Sequence, residues 1–342
     1  METKILTIHD IDKAATLLQK GELVAFPTET VYGLGADARQ SEAVGKVYSA
    51  KGRPSDNPLI IHVSDPKQIE EFVMEISDTA RQLMTRFWPG PLTIILTLKE
   101  ESGLPSNVTG GLGTAAFRMP NNESTLALIN ASGTVLVGPS ANTSGKPSPT
   151  TADHVYHDLH GRIAGILDDG PCEVGIESTV IDVSDSDRTP LILRPGAITQ
   201  EELADEIGEV SVDQHILSES EAPKAPGMKY KHYSPETPVE MVDYQLNNWE
   251  LAIQHPNRQK IGILANDSII TAFGEGLSCY SLTKNNVVEE AMTHLFSGLR
   301  YLDTLDLDVI LVQTFPEEDR GIAYMNRLKK AANQTYVDVD FK

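Results

Sequence analysis

The sequence predicts an α/β protein with two domains. Short apolar segments typical of strands alternate along the chain with longer segments that have a helical period. The chain has 342 residues, a length typical of two domains. Residues 209–236 are polar and rich in Pro and Gly, which indicates a linker. We therefore predict a first domain at 1–208, a linker at 209–236 and a small parallel, Rossmann-like α/β domain at 237–342.

The charge of the chain argues against nucleic-acid binding. The net charge is −21; residues 1–200 carry 16 Lys and Arg against 25 Asp and Glu, and the remainder carries 12 against 24. Neither part has the basic excess that binding to phosphate backbones requires, so we expect no stable contact with nucleic acid. The Lys and Arg residues that lie in the short motifs described below suit a small anionic ligand better than a nucleic acid.

The remaining composition favours a cytoplasmic protein. The hydrophobic content of 40% is enough to form hydrophobic cores. The sequence contains no run of 18 apolar residues, so we expect no membrane-spanning helix. The first residues lack the apolar core of a signal peptide. Cys172 and Cys279 lie far apart in sequence, and we expect both to be free thiols in a reducing compartment. Because no His/Cys cluster has metal-ligand spacing, we expect no protein metal site.

The first polar motif follows a short apolar strand. A helix is predicted at 11–20 and a strand at 22–26, which Pro27 ends because it cannot donate to a sheet. The motif Pro-Thr-Glu-Thr-Val-Tyr-Gly-Leu-Gly at 27–35 then supplies hydroxyls and backbone donors, typical of a ligand site at a sheet end. An ordinary strand-to-helix turn is one alternative. Another is a dinucleotide site, because Gly33, Gly35 and Ala38 fit G-x-G-x-x-A with Asp56 as the ribose carboxylate.

A second motif places two cations in a stiff frame. Lys-Gly-Arg-Pro-Ser-Asp-Asn-Pro-Leu at 51–59 follows a predicted helix at 41–50 and leads into a strand at 59–63. Lys51 supplies a point charge and Arg53 a planar fork, and both suit phosphate oxygens. The alternative is a basic turn on the surface.

Both domains are predicted to contain alternating strands and helices. In the first domain, helices are predicted at 66–74, 78–87, 125–132, 152–159 and 200–207, the last capped by Thr199, and strands at 92–98, 114–119, 135–137, 163–167, 178–183 and 191–194. We expect Trp88 to be a core residue and Asp168–Asp169 to be a turn, with a metal site as its alternative. In the second domain, strands are predicted at 239–243, 260–264, 277–281 and 308–312, and helices at 246–255, 287–302 and 319–332.

Six motifs in this order resemble the YrdC-like family. Besides the two above, they are Gly-Pro-Ser-Ala-Asn-Thr-Ser-Gly at 138–145, Ser-Thr-Val-Ile-Asp at 178–182, Leu-Arg-Pro-Gly-Ala-Ile at 193–198 and Ala-Pro-Gly-Met-Lys-Tyr-Lys-His-Tyr-Ser-Pro at 225–235. The last resembles the linker of the branch that has a second domain, so the resemblance covers the whole chain. It implies a twisted YrdC-like α/β sheet for the first domain.

The resemblance also implies an activity. This branch makes threonylcarbamoyl-AMP and pyrophosphate from L-threonine, bicarbonate and ATP, with Mg²⁺ accompanying ATP. Other proteins, the tRNA threonylcarbamoyl transferases, then use the product to modify the adenosine beside the anticodon. No catalytic triad is needed, because carbamate formation and attack on the α-phosphate require alignment and charge neutralisation.

The family motifs carry site roles onto this sequence. They imply threonine contacts for Thr30, His62, Arg118 and Ser178, with Arg118 on the carboxylate. They imply a catalytic role for Lys51 and Arg53, and ATP contacts for Lys51, Arg53, Asn57, Thr114, Ser140, Asn142, Ser148, Arg194, Tyr230 and His232. For His62 and Arg118 the alternatives are a core histidine and a structural salt bridge.

The linker carries aromatic side chains that a flexible spacer would not need. Aromatic side chains in 224–235 suggest a lid over the site rather than a spacer, so truncation near Gly208 should abolish activity.

One alternative function is carbamoyl transfer as in hydrogenase maturation, although two cysteines cannot supply the zinc fingers of those longer proteins. The other is a non-enzymatic RNA-binding module, which a salt-dependent gel shift would detect.

Overall fold

A computed structural model of the chain describes residues 2–213, 233–245, 248–256 and 258–338. These residues form two compact units. The first comprises 2–144, 149–173 and 177–213, and the second comprises 145–148, 174–176 and the described residues from 233 onward. Both short segments of the second unit, 145–148 and 174–176, lie within the sequence range predicted for the first domain. Among the described residues, no helix is long and apolar enough to cross a membrane.

The first unit is built on a mixed sheet. Its strands are β1 (Lys4–Thr7), β2 (Val24–Phe26), β3 (Gly33–Asp37), β4 (Ile60–His62), β5 (Leu92–Thr97), β6 (Thr114–Arg118), β7 (Leu136–Val137), β8 (Gly165–Asp168), β9 (Thr179–Asp182), β10 (Leu191–Arg194) and β11 (Ser211–Val212). Within the described residues they form an 11-stranded sheet in the order β1-β8-β2-β3-β7-β4-β6-β5-β9-β10-β11. The sheet contains parallel pairs, such as β4–β6 and β5–β9, and antiparallel pairs, such as β2–β3 and β5–β6. The predicted twisted α/β class is confirmed.

The helices of the first unit cover this sheet. They are α1 (Ile11–Gln19), α2 (Ser41–Lys51), α3 (Asp78–Phe87), α4 (Ser106–Thr109), α5 (Glu123–Ser132), α6 (Ala152–Leu159) and α7 (Gln200–Ile207). The predicted helix at 66–74 is instead a short 3-10 helix, Pro66–Glu71. The main core contains buried side chains from α2, α3 and the central strands, and Trp88 belongs to it as predicted, with its indole N–H 2.7 Å from the Leu92 carbonyl.

The second unit contains a parallel sheet, as predicted. Its strands are β12 (Val239–Val242), β13 (Ile261–Ala265), β14 (Ser278–Ser281) and β15 (Val309–Gln313), in the order β12-β15-β13-β14. Its helices are α8 (Trp249–Ile253), α9 (Asp267–Phe273), α10 (Val288–Asp303) and α11 (Arg320–Ala331). The short segment 145–148 belongs here through hydrogen bonds: Arg300 donates to the Pro147 carbonyl at 2.5 Å and the Ser234 amide to the Gly145 carbonyl at 2.8 Å.

Helix α7 begins with the predicted cap, which allows a stability prediction. The Thr199 hydroxyl accepts from the Glu202 amide at 3.1 Å, and the Glu202 carboxylate accepts from the Thr199 amide at 2.8 Å. We expect Thr199→Ala to lower the free energy of unfolding by about 1 kcal/mol in urea denaturation, because the first turn loses its cap. Thr16→Ala, on the exposed face inside α1, is the control and should be neutral or slightly stabilising. Equal losses for both variants would contradict a capping role.

Candidate active site

The Pro27–Gly35 motif is a buried polar turn between two strands. The chain leaves β2 at Phe26 and returns as β3, which pairs antiparallel with β2. The Thr28 hydroxyl organises the turn: it accepts from the Thr30 and Val31 amides at 3.1 and 3.2 Å and donates to the Val31 carbonyl at 2.6 Å. The turn therefore holds Glu29 and Thr30 inward, and both are buried.

Both alternatives for this motif are wrong. Residues Gly33–Asp37 form a strand, so neither a strand-to-helix turn nor a dinucleotide loop exists here. The glycines serve close packing, because a Cβ on Gly33 or Gly35 would lie within 2.9 Å of the Phe26 ring.

Three of the predicted threonine-binding residues lie together. Strands β4 and β6 are parallel and in register, with His62 beside Arg118. The Arg118 Nη1 group donates to the Thr30 hydroxyl at 2.8 Å, and Nε donates to the Gly90 carbonyl at 3.3 Å. All three side chains are buried. The structure thus brings Thr30, His62 and Arg118 into one cluster.

His62 is neutral at physiological pH. Complete burial, assisted by the nearby Arg118 charge, lowers its pKa to about 3. Its Nδ1 atom is buried and has no hydrogen-bond partner among the described residues, while Phe26 contacts the ring edge-on at 5.3 Å between centroids. A neutral imidazole with an unused nitrogen can donate to or accept from a substrate hydroxyl.

This lowered pKa predicts a specific dependence of stability on pH. Well above pH 6.5, His62 is neutral both folded and unfolded and contributes no pH dependence. Below pH 6.5 only the unfolded chain binds the proton, so stability falls until the pH reaches the folded pKa of about 3. We expect wild-type protein to lose about 1.6 kcal/mol relative to His62→Gln between pH 6.5 and 5, measured by urea denaturation. The exposed His9→Gln should follow wild type, and parallel curves for wild type and His62→Gln would refute the prediction.

Ser178 and Arg194 form a second cluster. Ser178 immediately precedes β9, and Arg194 ends the antiparallel strand β10. Arg194 Nε donates to the Ser178 carbonyl and Nη2 to the Ser178 hydroxyl, both at 3.1 Å, and the Thr93 hydroxyl lies 2.8 Å from the same oxygen. A predicted threonine contact and a predicted ATP contact are therefore adjacent.

Lys51 organises a third cluster. It is the last residue of α2, and Gly52 ends the helix with φ of 63°. The buried ammonium group donates to the carbonyls of Ser140 and Asn142 at 2.5 and 2.7 Å. Ser140 and Asn142 lie in the 138–145 motif. This motif contacts the Pro27–Gly35 turn, since the Ala141 amide donates to the Tyr32 carbonyl at 2.8 Å. Gly138 is required at its start, since a Cβ there would lie 2.7 Å from His62 Nδ1.

The other predicted ATP residues of this unit lie toward the amino ends of β4 and β6. Arg53 is half-buried and donates to the Pro58 carbonyl at 3.3 Å. Asn57 is buried, and its amide nitrogen and oxygen have no hydrogen-bond partner among the described residues. Thr114 begins β6 and shares a face with Arg118, roughly 13 Å along the strand by its usual rise. His62 and Arg118 are at the carboxyl ends of the same two strands.

Three predicted residues cannot be placed in these clusters. Ser148 is buried, but it belongs to the short segment that groups with the second unit. Tyr230 and His232 lie outside the described residues, as does most of the predicted lid at 224–235. Their roles stay predictions.

The prediction missed Glu29. Its carboxylate lies 2.6 Å from Arg118 Nη2, with both side chains 4% exposed. The signal was a lone acidic residue between two threonines in a motif already assigned to a site. Cys172 lies near this pair, and burial raises its pKa to about 12; both it and Cys279 are free thiols, as predicted.

Asp168, the last residue of β8, and Asp169, which follows it, make hydrogen bonds typical of a turn. Asp168 accepts from the Gly170 amide at 3.0 Å and Asp169 from the Asn122 amide group at 3.2 Å. Within the described ranges, no group of three or more His, Cys, Asp or Glu residues could hold a metal ion.

Comparison with known proteins places the chain in a family. The model for Sua5, YciO and YrdC proteins, described as "Telomere recombination", matches residues 16–196. A second model, described as "Threonylcarbamoyl-AMP synthase, C-terminal domain", matches residues 198–333. The chain belongs to the Sua5/YciO/YrdC family. The resemblance inferred from the six motifs is confirmed.

Full-length relatives of this Sua5/YciO/YrdC protein share both regions. The threonylcarbamoyl-AMP synthase of Bacillus subtilis is 45% identical, covering 94% of this chain and 92% of that protein. The protein of the same name from Pyrococcus abyssi is 42% identical, covering 95% of each. The crystal structure of P. abyssi Sua5 complexed with L-threonine matches with a TM-score of 0.88 and 40% identity over 98% of this chain and 99% of that one. These relatives carry the name of an enzyme, so the family to which the chain belongs is one of enzymes.

Proposed function

We propose that the protein is an L-threonylcarbamoyladenylate synthase. It would make threonylcarbamoyl-AMP and pyrophosphate from L-threonine, bicarbonate and ATP, for modification of tRNA by other proteins. The observation that supports this most strongly is the similarity over nearly the whole chain to proteins with this name, one of them crystallised with L-threonine. The described clusters provide a chemical basis for it.

The cluster of Thr30, His62 and Arg118 suits threonine. Arg118 would bind the carboxylate, because a guanidinium group forms strong charge-assisted hydrogen bonds with it. The neutral His62 offers a nitrogen for the side-chain hydroxyl. Ser178, hydrogen-bonded to Arg194, would place the amino acid beside the nucleotide.

The remaining residues suit ATP. Lys51 and Arg53 would neutralise phosphate charge, and the Lys51 contacts fix the backbone around Ser140 and Asn142 before substrate binds. Asn57 precedes β4 and Thr114 begins β6, whereas His62 and Arg118 end these two strands, so the proposed ATP contacts and the proposed threonine contacts lie toward opposite strand ends. Ser148, Tyr230 and His232 remain proposed ATP contacts on family resemblance alone.

Mg²⁺ would accompany ATP. Amide and hydroxyl oxygens such as those of Asn142 and Ser140 are the hard donors that suit this ion, which usually binds through substrate phosphates and water. When bound, it neutralises phosphate charge. The residues of the chain would align the threonine carbamate with the α-phosphate.

A substrate-omission assay tests the proposal. We expect pyrophosphate release only when ATP, L-threonine and bicarbonate are all present, together with threonylcarbamoyl-AMP in the mass spectrum. Addition of purified tRNA threonylcarbamoyl transferase proteins should then yield threonylcarbamoyladenosine in tRNA. Pyrophosphate release that is unchanged without threonine, or no release with all three substrates, would reject this function.

A further inference from the structure

Glu29 is a buried carboxylate with unused hydrogen-bonding capacity. The residue is 5% exposed. Both of its carboxylate oxygens are buried and have no hydrogen-bond partner within the part of the chain that the structure describes. An ionised carboxylate in this state is unfavourable unless something else satisfies it. The turn around Thr28 nevertheless fixes Glu29 in this position.

Arg118 neutralises Glu29 without satisfying it. Arg118 Nη2 lies 2.6 Å from one carboxylate oxygen, yet among the described residues neither atom has a hydrogen bond of acceptable geometry. The other Arg118 donors are directed at Thr30 and Gly90. The two charges therefore neutralise each other, but the Glu29 carboxylate and the adjacent Arg118 Nη2 group both lack hydrogen-bond partners among the described residues.

Two titratable side chains close to the pair, His62 and Cys172, add no charge. His62, in register with Arg118, has a pKa lowered to about 3 by burial and by the Arg118 charge. The Cys172 thiol, also near the pair, has a pKa raised to about 12 by burial. Arg118 and Glu29 thus present one positive and one negative charge in a buried position.

We propose that Glu29 binds the α-ammonium group of the amino-acid substrate while Arg118 binds its carboxylate. This inference rests on the proposed function and adds a specificity-determining residue to it. An ammonium group donates three hydrogen bonds, and Glu29 has two oxygens to accept them. A zwitterion is neutral overall, so it enters a neutral pair without burying net charge. Glu29 would thereby fix the position of the nitrogen that becomes carboxylated.

Calorimetry with two ligands tests this role. The ligands are L-threonine and (2S,3R)-2,3-dihydroxybutanoate, in which a hydroxyl replaces the ammonium group. Wild-type protein should prefer threonine by about 30-fold or more, as expected for a desolvated charge pair. In Glu29→Gln the preference should fall to about threefold or less. The control is Glu71→Gln, whose carboxylate lies 2.7 Å from Arg39 but is 56% exposed, and which should keep the wild-type preference.

Each outcome supports or overturns the inference. Equal affinity of wild type for both ligands, or an unchanged preference in Glu29→Gln, makes Glu29 structural. If Glu29→Gln does not fold, the same calorimetry is carried out on Glu29→Asp, which keeps the negative charge on a shorter side chain. Glu29→Asp should lower the affinity for threonine about tenfold and the affinity for the hydroxyl analogue less than about twofold. An equal loss of affinity for both ligands overturns the inference.

Pyrophosphate release separates this inference from the proposed function. Wild-type protein that shows the Glu29-dependent preference but releases no pyrophosphate rejects the proposed function alone. Protein that makes threonylcarbamoyl-AMP with an unchanged preference in Glu29→Gln rejects the role of Glu29 alone.

Discussion

Lys51→Ala should reduce pyrophosphate release by about 100- to 1,000-fold, the loss typical of removing one preorganised electrostatic group from an active site. Lys51 is 2% exposed, and its ammonium group donates to the carbonyls of Ser140 and Asn142. The substitution removes a positive charge from the proposed phosphate site and also leaves two carbonyls without their donor. We therefore expect a lower kcat and a higher KM for ATP, measured with saturating threonine and bicarbonate.

A control on the same helix separates this effect from damage to α2. Lys46→Ala removes a half-exposed ammonium group that lies 3.2 Å from Glu22, and exposed pairs of this kind contribute under about 1 kcal/mol. Its turnover should stay within about twofold of wild type. Near-normal turnover of Lys51→Ala would show that Lys51 only supports the 138–145 loop. Arg53→Ala should change turnover in the same direction as Lys51→Ala.

The strands and helices that the sequence predicted have strong local signals. Apolar runs ended by Pro, and Thr199 followed by Glu202, determine structure within a few residues. Strand β3 was missed because Gly-Leu-Gly-Ala-Asp lacks the β-branched residues typical of strands, and its glycines pack against Phe26 instead. Helix α9 was missed because it contains β-branched residues, Ile269, Ile270 and Thr271, which favour a strand.

The sequence allowed prediction of several residues of the candidate site, but not of the side-chain contacts that these residues make. Motif chemistry and family resemblance selected Thr30, Lys51 and Arg118. The contacts of Lys51 with the 138–145 loop and of Arg118 with Glu29 depend on which strands are neighbours. That order, with β7 between β3 and β4, cannot be read from local periodicity. Glu29 was overlooked because only the fold shows that its carboxylate is buried.

Arg118→Leu should cause the largest combined loss of stability and threonine binding. Its partner Glu29 would keep a buried charge with no cation beside it, and breaking such a pair costs about 3–5 kcal/mol of unfolding free energy. In the proposed binding mode, threonine would also lose the donor for its carboxylate, a loss of about 2–5 kcal/mol in binding free energy. Calorimetry with threonine and urea denaturation measure the two effects, and the affinity for ATP should change much less.

The double variant Arg118→Leu with Glu29→Leu distinguishes the two losses. Replacing a whole buried ion pair by apolar residues is often neutral or stabilising, so the double variant should regain most of the stability that the single variant lost. It should bind threonine no better than the single variant, because in the proposed binding mode neither charged end of the amino acid would have a partner. Arg39→Leu, which breaks the exposed pair with Glu71, should change stability by less than about 1 kcal/mol and leave threonine binding intact. Threonine binding of wild-type strength in the stable double variant would show that the Arg118–Glu29 pair serves the fold and that the amino acid binds elsewhere.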